Sequence, residues 1–161
     1  MKRYHFAIKA LRGRGFTLVE TVTVVAITGA LAATALPRLT ALGGEARYAS
    51  LDSARAALST VAAMSHAKFL INGATTQTFE DGTLTLVHGY PAATLETAEA
   101  AGLGDAYVVS AQASGAMSLV PKAIAGTPRA RDCFLVYEQA SSANPRPKIR
   151  MGENTRPETC V

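Results

Sequence analysis

Between Phe16 and Leu36 the chain has one charged side chain, Glu20, in a run of apolar, small and threonine residues. Wound as a helix, such a run rises about 31 Å, the thickness of a hydrocarbon core. It is apolar all round, the pattern of a helix covered on every side. Pro37 follows and would kink the helix, and Gly29 is a second weak point within it. Beyond Leu39 the pattern changes. Leu51, Ala54, Leu58, Val61, Ala62, Ser65 and Phe69 recur at helical spacing, while Asp52, Arg55 and Lys68 fall off that stripe. Gly43-Gly44 weakens the local propensity, and Asn72-Gly73 is a strong C-terminal stop. The pattern predicts one helix from about residue 17 to 72, its first half apolar all round and its second half amphipathic.

After residue 73 the period shortens towards two. Thr75–Phe79 and Thr83–Val87 alternate about Glu80-Asp81-Gly82 and read as a hairpin. Gly89-Tyr90-Pro91 reads as a turn, with His88 in the strand before it, and Thr94–Ala101 as a short helix or loop. Tyr107–Ser110, Ala116–Val120, Cys133–Gln139 and Lys148–Met151 are further strand candidates, and Ser141–Pro147 is a loop. The expected class is α+β, a long helix with its amphipathic half packed on a small antiparallel sheet. The divisions are a leader over 1–15, an apolar helix over 16–38, an amphipathic helix over 39–72 and a head over 73–161.

Charge sharpens the N-terminal picture. The formal net charge is +4, but Lys2, Arg3, Lys9, Arg12 and Arg14 precede the apolar run with no acid among them, which leaves −1 on residues 16–161. The basic balance therefore marks a cytoplasm-retained N-terminus rather than a nucleic-acid partner. The chain has no tryptophan and much alanine, which argues against a large enzyme-like core. In an exported chain the isolated pair Cys133 and Cys160 reads as one disulfide. Its ring of about 28 residues corresponds to roughly 3.6 kcal/mol in the chain-entropy account, a useful sum for a small head.

Three readings of the N-terminus follow from the residues. A secretory signal peptide would be cut near Ala30-Leu31-Ala32 or Ala33-Thr34-Ala35. It leaves Glu20 as an expensive charge in the apolar segment, about 3 kcal/mol at a helix centre and less near the edge. An uncut anchor gives no reason for Gly15-Phe16 at the boundary. Cleavage after Gly15 would free an amine on Phe16, which Glu20 can pair with in its own helix or in an incoming neighbour.

Gly15-Phe16-Thr17-Leu18-Val19-Glu20, the basic leader before it, Gly29 and Pro37 resemble the N-terminus of type IV pilins and pseudopilins. Val87–Thr94, Cys133-Phe134-Leu135-Val136-Tyr137 and the terminal Cys160 resemble the mannose-sensitive haemagglutinin branch of pilins. That resemblance implies an inner-membrane prepilin peptidase that cuts between Gly15 and Phe16 and methylates the Phe16 amine, with Glu20 tied to assembly and methylation. It implies an assembly platform and ATPase as partners, a homopolymeric filament, and a surface location after a single-pass membrane stage. Cys133 and Cys160 would bound the surface-facing region of the head. The rivals are a pseudopilin of a type II secretion system and a non-polymerising, membrane-anchored binding module. Major pseudopilins close that C-terminal region with calcium instead of cysteines.

The sequence offers no enzyme chemistry, metal motif or cofactor site. His5, His66 and His88 have no acidic or cysteine partner at useful spacing, and no phosphate loop or nucleophile elbow occurs. Glu80-Asp81 reads as a turn ahead of a calcium contact. Arg146, Lys148 and Arg150 read as a solvated loop, with no interleaved aromatic to favour nucleic acid. Thr21, Thr23, Thr28 and Thr34 are expected to bond back to helix carbonyls.

Overall fold

The computed structural model describes residues 16–79 and 82–161, and the fold is α+β. Helix α1 runs Leu18–Asn72 and continues through Gly29, Pro37 and Gly43-Gly44. Its C-terminus closes as the sequence predicts. Gly73 takes a φ of 66°, and its N–H donates to the Phe69 carbonyl at 2.7 Å, the single bond of a left-handed cap. The Asn72 side chain then accepts from the Ala74 N–H at 3.0 Å. Compact units divide between Arg38 and Leu39.

In the unit from Leu39 onward, two antiparallel sheets form where one was expected. The first has the order β1 (Thr76–Phe79), β2 (Gly82–Val87) and β3 (Tyr90–Pro91). Of the predicted turn Glu80-Asp81-Gly82, the first two residues lie outside the described residues, while Gly82 belongs to the strand and pairs with Phe79. The β2–β3 connection corrects the reading of His88 and Gly89. Val87 pairs with Tyr90, and His88 and Gly89 between them have φ of 50° and 80°. Two left-handed residues define a type I′ turn, whose twist suits a two-residue hairpin. His88 is thus a turn residue, and Tyr90-Pro91 is strand.

Helix α2 spans Leu95–Ala100, and the Thr94 hydroxyl and the residue's own backbone N–H hold the Glu96 carboxyl below its ordinary range. The second sheet has the order β4 (Tyr107–Gln112), β5 (Ala116–Pro121), β6 (Leu135–Glu138) and β7 (Lys148–Met151). Pro128–Arg131 forms a 3-10 turn before β6.

The amphipathic stripe of α1 is the centre of the core. Leu51, Ala54 and Leu58 are buried in one cluster with Met117, Leu119, Leu135 and Tyr137 of β5 and β6. Strand alternation puts those four side chains on one sheet face. Further along α1, Val61, Ala62 and Ser65 are buried and Phe69 is half-buried, while Asp52, Arg55 and Lys68 stay exposed as expected. The first sheet meets this end of the helix. Gln77 Nε2 donates to the Ser65 carbonyl at 3.1 Å, and the His66 Nδ1–H donates to the Gly89 carbonyl at 3.1 Å. His66 also stacks on Tyr90 with ring centroids 4.1 Å apart. A buried polar bond joins the sheets, the Tyr137 hydroxyl donating to the Pro91 carbonyl at 2.7 Å, and beside it the Ala93 N–H donates to Gln139 Oε1 at 3.0 Å.

The C-terminal tail docks back on the helix. Cys133 and Cys160 form a disulfide with Cα atoms 5.1 Å apart, and Arg47 Nη1 donates to the Cys160 carbonyl at 2.7 Å. Gly44 makes the approach possible. A Cβ there would lie 2.2 Å from the Pro157 carbonyl oxygen and 2.8 Å from Val161 Cγ2, whereas one on Gly43 would meet only Arg47 Nη1 at 3.8 Å. Adjacent glycines therefore have opposite roles. Gly43→Ala should raise stability by about 0.5–1 kcal/mol, because alanine restricts the unfolded chain and favours helix. Gly44→Ala should instead lower it by about 1–3 kcal/mol, the usual cost of overpacking. Denaturant unfolding of the two variants checks the opposite signs.

Burial pushes the Tyr137 phenol above its ordinary pKa. The phenol contributes fully while the unfolded chain is also protonated, below about pH 10, and loses that contribution as pH rises further. Wild-type stability should therefore fall steeply above about pH 10. Tyr137→Phe should cost about 1–3 kcal/mol at neutral pH, leaving the Pro91 carbonyl buried without its donor. Its alkaline decline should be shallower, as melting curves across pH would record.

Candidate functional site

Residues 16–36 have a different surface. From Leu18 to Leu36 the helix has a mean hydropathy of 1.7, and none of it is buried. Phe16, Leu18 and Val19 are exposed, as are Val22, Val24, Val25, Ile27, Leu31 and Leu36. This helix is long and apolar enough to cross a membrane.

Its threonines do not spoil that surface. The hydroxyls of Thr21 and Thr23 donate to the carbonyls of Thr17 and Val19 at 3.3 and 2.7 Å. Thr28 bonds the Val24 carbonyl, and Thr34 the Leu31 carbonyl at 2.8 Å. Each hydroxyl is satisfied inside its own helix, as predicted, so it carries little desolvation cost into an apolar medium.

The helix start contains an element the sequence reading missed. Thr17 Oγ1 accepts from the Glu20 N–H at 3.2 Å, and the Thr17 carbonyl accepts from the Thr21 N–H at 3.1 Å. Thr17 is therefore the N-cap, and Thr17-Leu18-Val19-Glu20 has the Thr-x-x-Glu spacing of a capping box. The signal is local in the sequence, a threonine three residues before a glutamate at the head of an apolar run. It places Glu20 in the first turn, where the partial positive charge of the helix end favours a carboxylate. The backbone N–H groups there have no partners within the helix. Glu20 is the one charged side chain of this segment, standing four residues after Phe16.

Gly15 and the basic leader lie outside the described residues. Gly29 has open space where a Cβ would be, with no atom within 4 Å. Phe16, Glu20, Gly29 and Pro37 belong to one unit, and Cys133 and Cys160 to the other. The cysteines are wholly buried in the head core and bonded to each other. Among the described residues no group of three histidine, cysteine, aspartate or glutamate side chains is arranged to hold a metal. His66 is engaged with Tyr90 and Gly89, and His88 shapes a turn.

These features combine into a helix surface that is apolar on every side, internally satisfied in its hydroxyls and charged at one point. Such a surface can enter lipid or pack against copies of itself. No family model, no curated protein and no solved structure matches this chain.

Proposed function

We propose that this chain is a structural subunit of a type IV pilus, of the mannose-sensitive haemagglutinin kind. It is held in the inner membrane by the apolar part of α1, cut after Gly15, and polymerised into a surface filament that serves attachment or motility. The observation that carries this reading is the wholly uncovered apolar segment with its single carboxylate in the first turn. A plain membrane anchor gains little from that carboxylate beyond its first-turn interaction with the helix end, and does not need it. A subunit that leaves the lipid for a polymer does, because an incoming amine on Phe16 gives Glu20 a partner of opposite charge where water is scarce. The same pairing sets the axial position of one helix against the next. Prepilin peptidase, an assembly platform and an assembly ATPase are the partners this mechanism requires. The disulfide fits the reading as the staple of a small exported head.

Processing gives the first test. The intact mass of the exported protein should correspond to residues 16–161 with one added methyl group and two hydrogens lost to the disulfide. A mature start at Ala33 or Leu36 would identify an ordinary signal peptide and overturn the reading.

The carboxylate gives the second. Glu20→Leu should still be cut after Gly15 and held in the membrane, yet assemble filaments at a small fraction of wild-type yield, with methylation of Phe16 reduced. Thr17→Ala separates assembly from capping. It should loosen the helix start by about 1 kcal/mol while filaments still form. Abundant filaments made of Glu20→Leu alone would show that the carboxylate does not direct assembly.

A further inference from the structure

Alternation along β6 and β7 sends Val136, Glu138, Lys148 and Arg150 to the sheet face opposite the core. Val136 pairs with Arg150, and Glu138 with Lys148. These side chains line an open concavity of about 700 Å³, which Phe134 and Asn154 also line.

The charges around it do not cancel. Arg131, Arg146, Lys148 and Arg150 line the concavity together with only two carboxylates, Glu138 and Glu153. Glu138 is already engaged, since its Oε1 accepts from Nε and Nη2 of Arg150 at 3.1 and 2.8 Å. Arg131, Arg146 and Lys148 remain against Glu153. All three are exposed, and none forms an ion pair among the described residues.

Phe134 supplies what the linear sequence lacked, an aromatic ring beside the basic cluster. It is half-buried and set against the backbone of Gly152, where a Cβ would come within 2.6 Å of the ring. The Gly152 N–H donates to the Phe134 carbonyl at 2.9 Å, and the Phe134 N–H donates to Thr155 Oγ1 at 3.2 Å. The main chain of Phe134 is therefore held on both sides, and its ring rests beside Gly152. Phe134, Glu138, Arg146, Lys148, Arg150, Glu153 and Asn154 lie between Cys133 and Cys160, so the disulfide ring contains most of the charged lining, and Arg131 joins it from just before Cys133.

A half-buried ring, side-chain amides and an excess of cations match one ligand class. A sugar ring lays its C–H face on an aromatic, its hydroxyls meet amides, and its acidic substituent meets guanidinium or ammonium in a charge-assisted bond. Single-stranded nucleic acid fits less well, because sequence-tolerant binding uses several stacked aromatics along a basic groove. Here there is one ring, and carboxylates share the site. We infer that the outer face of the second sheet binds an acidic oligosaccharide bearing carboxylate or sulfate groups. The inference does not depend on filament assembly.

Calorimetric titration of the full chain in detergent micelles tests it. The probes are a galacturonic acid tetramer, a sulfated galactose tetramer, a neutral galactose tetramer and a thymidine tetranucleotide. At least one acidic tetramer should bind, about tenfold or more tightly than the neutral one. Added salt should weaken it. The double variant Arg146→Gln, Lys148→Gln changes two exposed side chains outside the core. It should keep the wild-type melting temperature while losing about tenfold or more in affinity. No binding of either acidic tetramer, equal binding of the neutral tetramer, tighter binding of the tetranucleotide, or unchanged affinity in the double variant would each overturn the assignment.

Discussion

Apolar surface that the chain cannot cover by itself is the constraint on which the rest depends. Nine large side chains from Phe16 to Leu36 are exposed. At about 1.5–3 kcal/mol each for transfer out of water, their exposure amounts to roughly 14–27 kcal/mol. That is comparable with or larger than the whole stability of a typical domain, about 5–15 kcal/mol. No rearrangement of a small head can offset it. Lipid or other apolar helices are surroundings that can cover such a segment, and its backbone and hydroxyl bonding is already suited to both. Helical hydrogen bonding satisfies the chain internally, and the threonines return their protons to carbonyls of the preceding turn.

Beyond Leu39 the same helix obeys a different rule. One stripe is buried against β5 and β6, and the opposite face carries charge. The head has few large residues with which to build a core, so local devices hold it. The disulfide closes the C-terminal ring, Arg47 binds the Cys160 carbonyl, and Gly44 gives the tail room to reach the helix. Tyr137 joins the two sheets through one buried hydrogen bond. Each device acts at one point, so single substitutions should have large local effects.

The long helix, its stop at Gly73, the stripe from Leu51 to Ser65, the six strands predicted after residue 73 and the short helix after Thr94 were legible because periodicity and caps are local signals. So were the cysteine pair and the back-bonded threonines. The type I′ turn at His88-Gly89 was missed because histidine seldom takes positive φ, and Tyr90-Pro91 then looked like the turn itself. The division into two sheets was not legible, since alternation fixes which face a residue occupies but not which strands pair. Gly43 and Gly44 look alike in sequence. Only the returning tail distinguishes them. For the same reason the basic cluster at Arg146–Arg150 read as a solvated loop: Phe134 is distant in sequence and becomes its neighbour through the pairing of β6 with β7.

Glu20 shows how far local physics goes and where it stops. The capping contact at this helix start comes from the Thr17 hydroxyl, not from the carboxylate. The first-turn position lowers the cost of the charge, because the helix end is partially positive. That accounts for an acid being tolerated there. It does not account for an acid being present, since Thr17 would cap the helix equally well before an uncharged residue. A carboxylate whose oxygens accept no hydrogen bond among the described residues has most to gain from a cation delivered from outside its own helix, in a medium where few competitors exist. On the proposed reading, that cation is the amine exposed by cleavage before Phe16. A single charge on an otherwise uniform apolar cylinder would then determine where along its length the next helix comes to rest.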